Sequence, residues 1–148
     1  MERRDFITAV GATAAIASVS QALANEHEKH PTAAGEHHHP PKYKALTDAS
    51  GKCVIEGDNC LRHCFGMLSM NNASMADCTK LTYETIAACK ALESLSAINS
   101  SFTPAMAKIV ASICEACKKE CDKFPLYVEC RDMSTACKTC ATECLKIV

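Results

Sequence analysis

Cysteine is the residue type through which this chain could do chemistry, since twelve of its 148 residues are cysteines. Eight of the twelve stand three or four positions from another, in the runs CLRHC (60–64), CEACKKEC (114–121) and CKTCATEC (137–144). A thiol can act as a nucleophile, a disulfide partner or a ligand for a soft metal. The full set is Cys53, Cys60, Cys64, Cys78, Cys89, Cys114, Cys117, Cys121, Cys130, Cys137, Cys140 and Cys144.

The cysteines lie in segments whose sequence pattern predicts helices. From Lys42 onward, cysteines and apolar residues recur every three or four positions, and no alternating strand pattern competes. Polar segments at 71–74 and 99–101, together with Pro125, interrupt the pattern. Short loops favour antiparallel neighbours. The sequence therefore predicts an all-α, antiparallel four-helix bundle, with helices at about 42–70, 75–98, 104–124 and 126–147.

Two of the predicted helix starts carry local signals. Ser74 followed by Asp77 is typical of a capping box, in which the two side chains bond the free amides of the first turn. Thr103 is predicted to cap the third helix, with Pro104 at its first position.

All twelve thiols are predicted to face the bundle core. At about 100° per residue, the cysteines of each helix fall within about 20–80° of arc. They occupy stripes where leucine would normally stand, and the stripe of the fourth helix runs from Leu126 to Ile147. We therefore expect a cysteine-lined core.

A disulfide-stapled structural or interaction module is the main alternative. An even number of cysteines in an exported chain favours it. However, partners such as Cys60 and Cys64 on one helix have Cβ atoms about 5–6 Å apart, whereas a disulfide needs about 3.8 Å. The sequence does not exclude disulfide bridges between helices.

Metal binding explains more of the pattern. Two CxxC motifs, at 114–117 and 137–140, could hold one zinc ion in four thiolates, but eight thiols would then be unexplained. Cu(I) is soft and accepts two or three thiolates, and cations would neutralise a dozen buried thiolates. If each sulfur bridges two ions, the capacity is about one Cu(I) per cysteine. No acid, base or substrate pocket is evident, so we expect no enzyme activity.

The N-terminal segments predict export. Arg3 and Arg4, an apolar run and the cleavage-like Ala22-Leu23-Ala24 favour a twin-arginine signal peptide at 1–24. We expect the mature protein in the periplasm or beyond the inner membrane, with no membrane span. Residues 25–41 read as a disordered, His-rich tail, whose Asn25-Glu26-His27 start could chelate Cu(II). With a net charge of -1, nothing indicates a nucleic-acid partner.

With these motifs laid out, residues 42–148 resemble the four-helix-bundle copper storage proteins of bacteria, in their exported branch. The carrying features are the three cysteine runs and the twin-arginine leader. The resemblance implies a copper-binding domain that assembles as a homotetramer and is filled with multiple Cu(I) ions through one open end. A copper-requiring enzyme or a metallochaperone would be the recipient. Tyr127 is a departure, since it stands where another cysteine would extend the stripe.

The resemblance also implies a cluster of histidine and methionine at the open end of the bundle. The residues that fit are His63, Met67, Met70 and Met75. Imidazole and thioether bind Cu(I) more weakly than thiolate, which suits a site that passes ions inward. The alternative is that Met67 and Met75 merely pack and that His63 lies on the surface.

Overall fold

Four helices and one short 3₁₀ turn make up the part of the chain that the computed structural model describes, residues 39–148. The helices are α1 (Lys44–Ser69), α2 (Ala76–Ala97), α3 (Thr103–Cys121) and α4 (Val128–Leu145), with the 3₁₀ turn at Ala73–Met75. The all-α, four-helix prediction is confirmed, with each helix somewhat shorter than expected. The predicted signal peptide at 1–24 and the tail as far as residue 38 lie outside the described residues.

The four helices form an antiparallel ring around one core. α1 packs against α2 and α4, and α3 packs against the same two helices. The last turns of α1 and α3 therefore meet the first turns of α2 and α4, and we call this end of the bundle the mouth. The opposite end is filled by ordinary apolar side chains, among them the buried Leu46, Leu92 and Val110. Within residues 39–148, no helix combines the length and hydropathy needed to cross a membrane.

Asparagine ends the first two helices. Asn71 and Asn99 both adopt the left-handed conformation, with φ of 62° and 56°. Asparagine tolerates this conformation better than most residues, and it turns the chain out of the helix. The side chain of Asn99 also bonds to the segment that precedes α1. Its Oδ1 accepts from Lys42 N at 2.8 Å and its Nδ2 donates to Pro40 O at 3.2 Å.

The predicted capping box at Ser74 is wrong. Asn72 is the capping residue instead, since its Oδ1 accepts from Ser74 N at 3.2 Å and from Ser74 Oγ at 2.6 Å. This bond closes the 3₁₀ turn, after which α2 begins at Ala76 without a side-chain cap.

The predicted cap of the third helix is also wrong. Thr103 is the first residue of α3, and its hydroxyl donates to the carbonyl oxygen of Leu95 at 3.2 Å rather than to its own helix. Pro104 is therefore the second helical residue. Leu126 belongs to the loop around Pro125 and is 90% exposed, so the core-facing stripe of α4 begins at Cys130 and not at Leu126.

Candidate metal centre

Sulfur fills the middle of the bundle core. All twelve cysteines are buried, at 1% exposure or less, and every thiol is free in this structure. Three come from α1, two from α2, three from α3 and four from α4. The prediction that their side chains face inward is confirmed by this burial.

One set of six sulfurs lies toward the mouth. The shortest contact joins Cys64 Sγ of α1 to Cys78 Sγ of α2 at 3.7 Å, and Cys78 Sγ reaches Cys121 Sγ of α3 at 3.9 Å. Cys130 of α4 completes the ring, since its sulfur lies within 4.8 Å of those of Cys60 and Cys78. We call this group the mouth sulfur set: Cys60, Cys64, Cys78, Cys117, Cys121 and Cys130.

The second set lies deeper in the core. Four of its sulfurs, one from each helix, all lie within 4.8 Å of one another, in Cys53, Cys89, Cys114 and Cys140. Cys137 joins through a 3.8 Å contact with Cys53. We call this group the inner sulfur set: Cys53, Cys89, Cys114, Cys137, Cys140 and Cys144.

These separations suit a metal bridge better than a disulfide. Within α1, the sulfurs of Cys60 and Cys64 are 3.9 Å apart, and within α3 those of Cys117 and Cys121 are 4.0 Å apart. A disulfide would bring them to about 2.05 Å. A soft ion bonded at about 2.3 Å, as in zinc thiolates, needs two sulfurs about 4.0 Å apart for trigonal and about 4.6 Å for linear coordination. The core therefore holds its thiols close to bridging distance.

Hydrogen bonds between thiols lower the pKa of some cysteines below the ordinary 9.0. Cys114 is the leading donor to Cys53, whose pKa falls to about 5. Cys121 is the leading donor to Cys60, whose pKa falls to about 4, and to Cys117, whose pKa falls to about 3. The thiols with lowered pKa values are Cys53, Cys60, Cys78, Cys117 and Cys140.

The remaining cysteines have raised pKa values. For Cys89 the leading cause is its hydrogen bond to Cys114, and for Cys121 it is the hydrogen bond to Cys117. Burial adds to the effect, because it disfavours the anion. The raised set is Cys64, Cys89, Cys114, Cys121, Cys130, Cys137 and Cys144. When no cation is bound, a thiolate in this core is thus stabilised only by hydrogen bonds from neighbours that remain protonated.

Thr82 is a core residue whose chemistry the sequence pattern does not reveal. It occupies the core-facing stripe of α2 and is fully buried. Its Oγ1 lies 3.8 Å from Cys60 Sγ, 3.8 Å from Cys117 Sγ and 4.0 Å from Cys78 Sγ. The only signal in the sequence is a polar residue in a stripe of cysteines and apolar side chains.

The predicted histidine and methionine cluster is partly assembled at the mouth. His63 stacks on Tyr127 with ring centroids 4.5 Å apart, and its Nδ1 lies 3.8 Å from Glu129 Oε2. Its Nε2 is buried and has no hydrogen-bond partner. Met75 is fully buried and Met67 packs against the core.

Two residues at the mouth sit differently from expectation. Met70 follows the end of α1 and is 68% exposed, so the structure does not bring it to the sulfurs. Tyr127 does not extend the stripe of α4; it precedes the helix and covers His63.

A four-helix bundle that gathers free thiols from every helix is a protein that binds soft metal ions. Comparison with known families agrees, because the profile of the family described as "Copper storage protein" matches residues 38–148. The chain belongs to the copper storage protein family, which is a family of metal storage proteins and not of enzymes.

Solved structures show the same fold. The chain is similar to the Cu(I)-bound copper storage protein BsCsp3, with 26% identity, a TM-score of 0.65, and coverage of 70% of this chain and 95% of that one. It is also similar to apo-Csp3 from Bacillus subtilis, with 26% identity, a TM-score of 0.62, and coverage of 70% and 96%. No curated protein matches the chain.

Proposed function

We propose that this protein stores Cu(I) on the twelve thiolates of its core, at about one ion per cysteine. The observation that carries the proposal is the meeting of one sulfur from each helix within 4.8 Å, in Cys53, Cys89, Cys114 and Cys140. A disulfide module would have no use for four sulfurs converging on one point. The Cu(I)-bound state of the similar BsCsp3 supports the choice of metal.

Copper takes the place of the thiol protons. Cu(I) that binds to thiols displaces their protons to the solvent and leaves thiolates whose charge the ion neutralises. Sulfurs such as those of Cys60, Cys64 and Cys78 lie 3.7 to 4.0 Å from one another. A sulfur with two such neighbours can bridge two ions, and bridged ions can form a continuous series along the bundle axis. Such bridging leads to the capacity of about one ion per thiol.

The capacity is tested by titrating the reduced, metal-free protein with Cu(I) without oxygen. We expect uptake to saturate at about twelve ions per chain. A Cys89→Ala, Cys114→Ala variant should lose about two ions from the inner sulfur set. Ser94→Ala, on the exposed side of α2, is the matched control and should keep the full capacity. Saturation of the wild-type protein at one to four ions contradicts storage.

We further propose that copper enters at the mouth. His63 offers a buried, unpartnered Nε2, and Met67 and Met75 lie beside the core with thioether sulfurs. Met70, which is exposed, would be the first to meet an incoming ion. The imidazole and thioether ligands at the mouth bind Cu(I) more weakly than the thiolates of the core. The affinity therefore increases from the mouth to the core, which favours transfer of ions inward.

Export and assembly complete the proposal. The twin-arginine pattern of Arg3 and Arg4 supports export of the folded, reduced chain, with cleavage after residue 24 and a tail at 25–41. The resemblance to bacterial copper storage proteins supports a homotetramer of bundles, with a copper-requiring enzyme or a metallochaperone as recipient. The intact mass of the secreted protein checks the cleavage site, and light scattering checks the assembly. Retention of an Arg3→Lys, Arg4→Lys variant inside the cell is expected, while its normal secretion would contradict the route.

A further inference from the structure

Thr82 places a hydroxyl group among the sulfurs of the mouth sulfur set. The three sulfurs around its Oγ1, at 3.8 to 4.0 Å, belong to α1, α2 and α3. The side chain is completely buried. Water is therefore excluded as a partner, and the hydroxyl must bond within the protein or remain unsatisfied at a cost of about 1–3 kcal/mol.

Four of the other buried hydroxyls bond to the backbone, those of Ser50, Thr85, Ser96 and Thr103. Thr85, one turn further along α2, donates to the carbonyl oxygen of Leu81 at 2.7 Å, and Ser50 donates to that of Leu46 at 2.8 Å. This bond to the preceding turn is the usual arrangement for a threonine or serine in a helix. Among the described residues, the partners of the Thr82 hydroxyl are sulfurs alone. Its proton is therefore available to a thiolate.

A donor at this point has a chemical use during loading. When a thiolate pair holds one Cu(I), two negative charges meet one positive charge, and the site keeps an excess of one negative charge. Burial makes such an excess costly unless a hydrogen bond or another cation offsets it. The hydroxyl can rotate toward any of the three sulfurs. It can therefore donate to the thiolate that is bound to the fewest Cu(I) ions.

We propose that Thr82 is a positioning residue for copper, whose hydroxyl stabilises the partly loaded mouth sulfur set by donating to Cys60, Cys78 or Cys117. The inference rests on the proposed storage of Cu(I). The first ion on a pair of thiols displaces two protons to the solvent, and an ion that later bridges thiolates already formed displaces none. Full loading thus releases about one proton per ion, and no electron moves. Thr82 thus tightens the binding of the ions nearest the mouth and leaves the total capacity unchanged.

The test compares three variants in Cu(I) buffered by a chelator of known affinity. Thr82→Val keeps the shape and removes the hydroxyl, whereas Thr82→Ser keeps the hydroxyl. Thr103→Val is the matched control, because Thr103 is equally buried but donates to the backbone of Leu95. The readouts are ions bound against free Cu(I) and, for the metal-free proteins, the urea midpoint.

For Thr82→Val we expect the same total number of bound ions. The ions of the mouth sulfur set, about half of the total, should bind only at about five- to tenfold higher free Cu(I). Thr82→Ser and Thr103→Val should follow the wild-type curve. A wild-type curve for Thr82→Val, or a Thr82→Ser curve that matches Thr82→Val, would overturn the proposal. If the wild-type protein itself binds few ions, storage fails. If the wild-type protein loads fully but Thr82→Val shows no shift, Cu(I) storage stands and only the proposed role of Thr82 is rejected.

Discussion

At the scale of the residue, the polar contacts of the core thiols are to other thiols and to the hydroxyl groups of Thr82 and Ser50. Within residues 39–148, no lysine or arginine is buried, and the buried polar residues are serines, threonines and Glu120. These residues therefore place no buried cationic side chain beside the thiolates. The lowered pKa values of Cys53 and Cys60 depend on donors such as Cys114 and Cys121, which must then stay protonated. Full ionisation requires positive charge from outside, and a monovalent soft metal supplies it.

His63 gives a prediction at this scale. Replacing it with alanine, together with Met70→Ala, removes two weak ligands at the mouth and none of the thiols. We expect the rate of Cu(I) uptake from a weak donor to fall about tenfold, the equivalent of about 1.4 kcal/mol in barrier height. The final number of bound ions should not change. Stopped-flow absorbance of the copper–thiolate bands measures both quantities.

The control for this variant lies at the opposite end of the bundle. Ile98 is 74% exposed just after α2, so Ile98→Ala removes a similar exposed side chain far from the mouth. Its uptake rate should equal that of the wild-type protein. If the His63→Ala, Met70→Ala variant also loads at the wild-type rate, copper does not enter past these residues.

At the scale of the element, the core-facing stripes could be predicted from sequence and the residues that cap the helices could not. A cysteine every three or four positions marks one face of a helix regardless of what the helix packs against. The start of α3, in contrast, depends on Thr103 donating to Leu95, a partner eight residues away. The contact of His63 with Tyr127 and Glu129 joins α1 to the start of α4, and no spacing along one helix reveals it.

Gly57 gives a prediction for the packing of α1. A Cβ at this position would lie 2.5 Å from Ile86 Cγ1 and 3.0 Å from Ile86 Cδ1, and 3.5 Å from Met133 Cε. The glycine thus allows α1 to approach α2 closely between the two sulfur sets. We expect Gly57→Ala to destabilise the metal-free protein by about 1–3 kcal/mol, because Ile86 is buried and has little room to move. Urea unfolding followed by circular dichroism measures the change.

Gly66 is the matched control on the same helix. A Cβ there would meet no atom within 4 Å, and the residue is exposed. Alanine has the higher helix propensity, so Gly66→Ala should stabilise the protein by about 0.5–1 kcal/mol. Equal effects of the two substitutions would show that the close approach at Gly57 does not limit the packing of α1.

At the scale of the whole molecule, copper and folding are coupled. The core has thiols where a bundle normally has leucine, so the metal-free protein gives up packing between its helices. Sulfurs from all four helices converge in the inner sulfur set, and an ion bound there links helices that are distant in sequence. Such a link exists only in the folded chain, so copper should stabilise the fold by an amount that grows with the logarithm of its affinity.

Calorimetry of the loaded and metal-free proteins tests this coupling. At free Cu(I) about 1,000 times the dissociation constant, one site contributes about 4 kcal/mol, and the midpoint of unfolding should rise by about 15 °C or more. The stabilisation should shrink as the pH falls, because protons compete with copper for thiolates, most strongly at thiols with raised pKa values such as Cys89 and Cys114. Excess chelator should return the midpoint to that of the metal-free protein. Loaded and metal-free midpoints that coincide at neutral pH would mean that copper binds outside the core, since an ion held between four helices must oppose their separation.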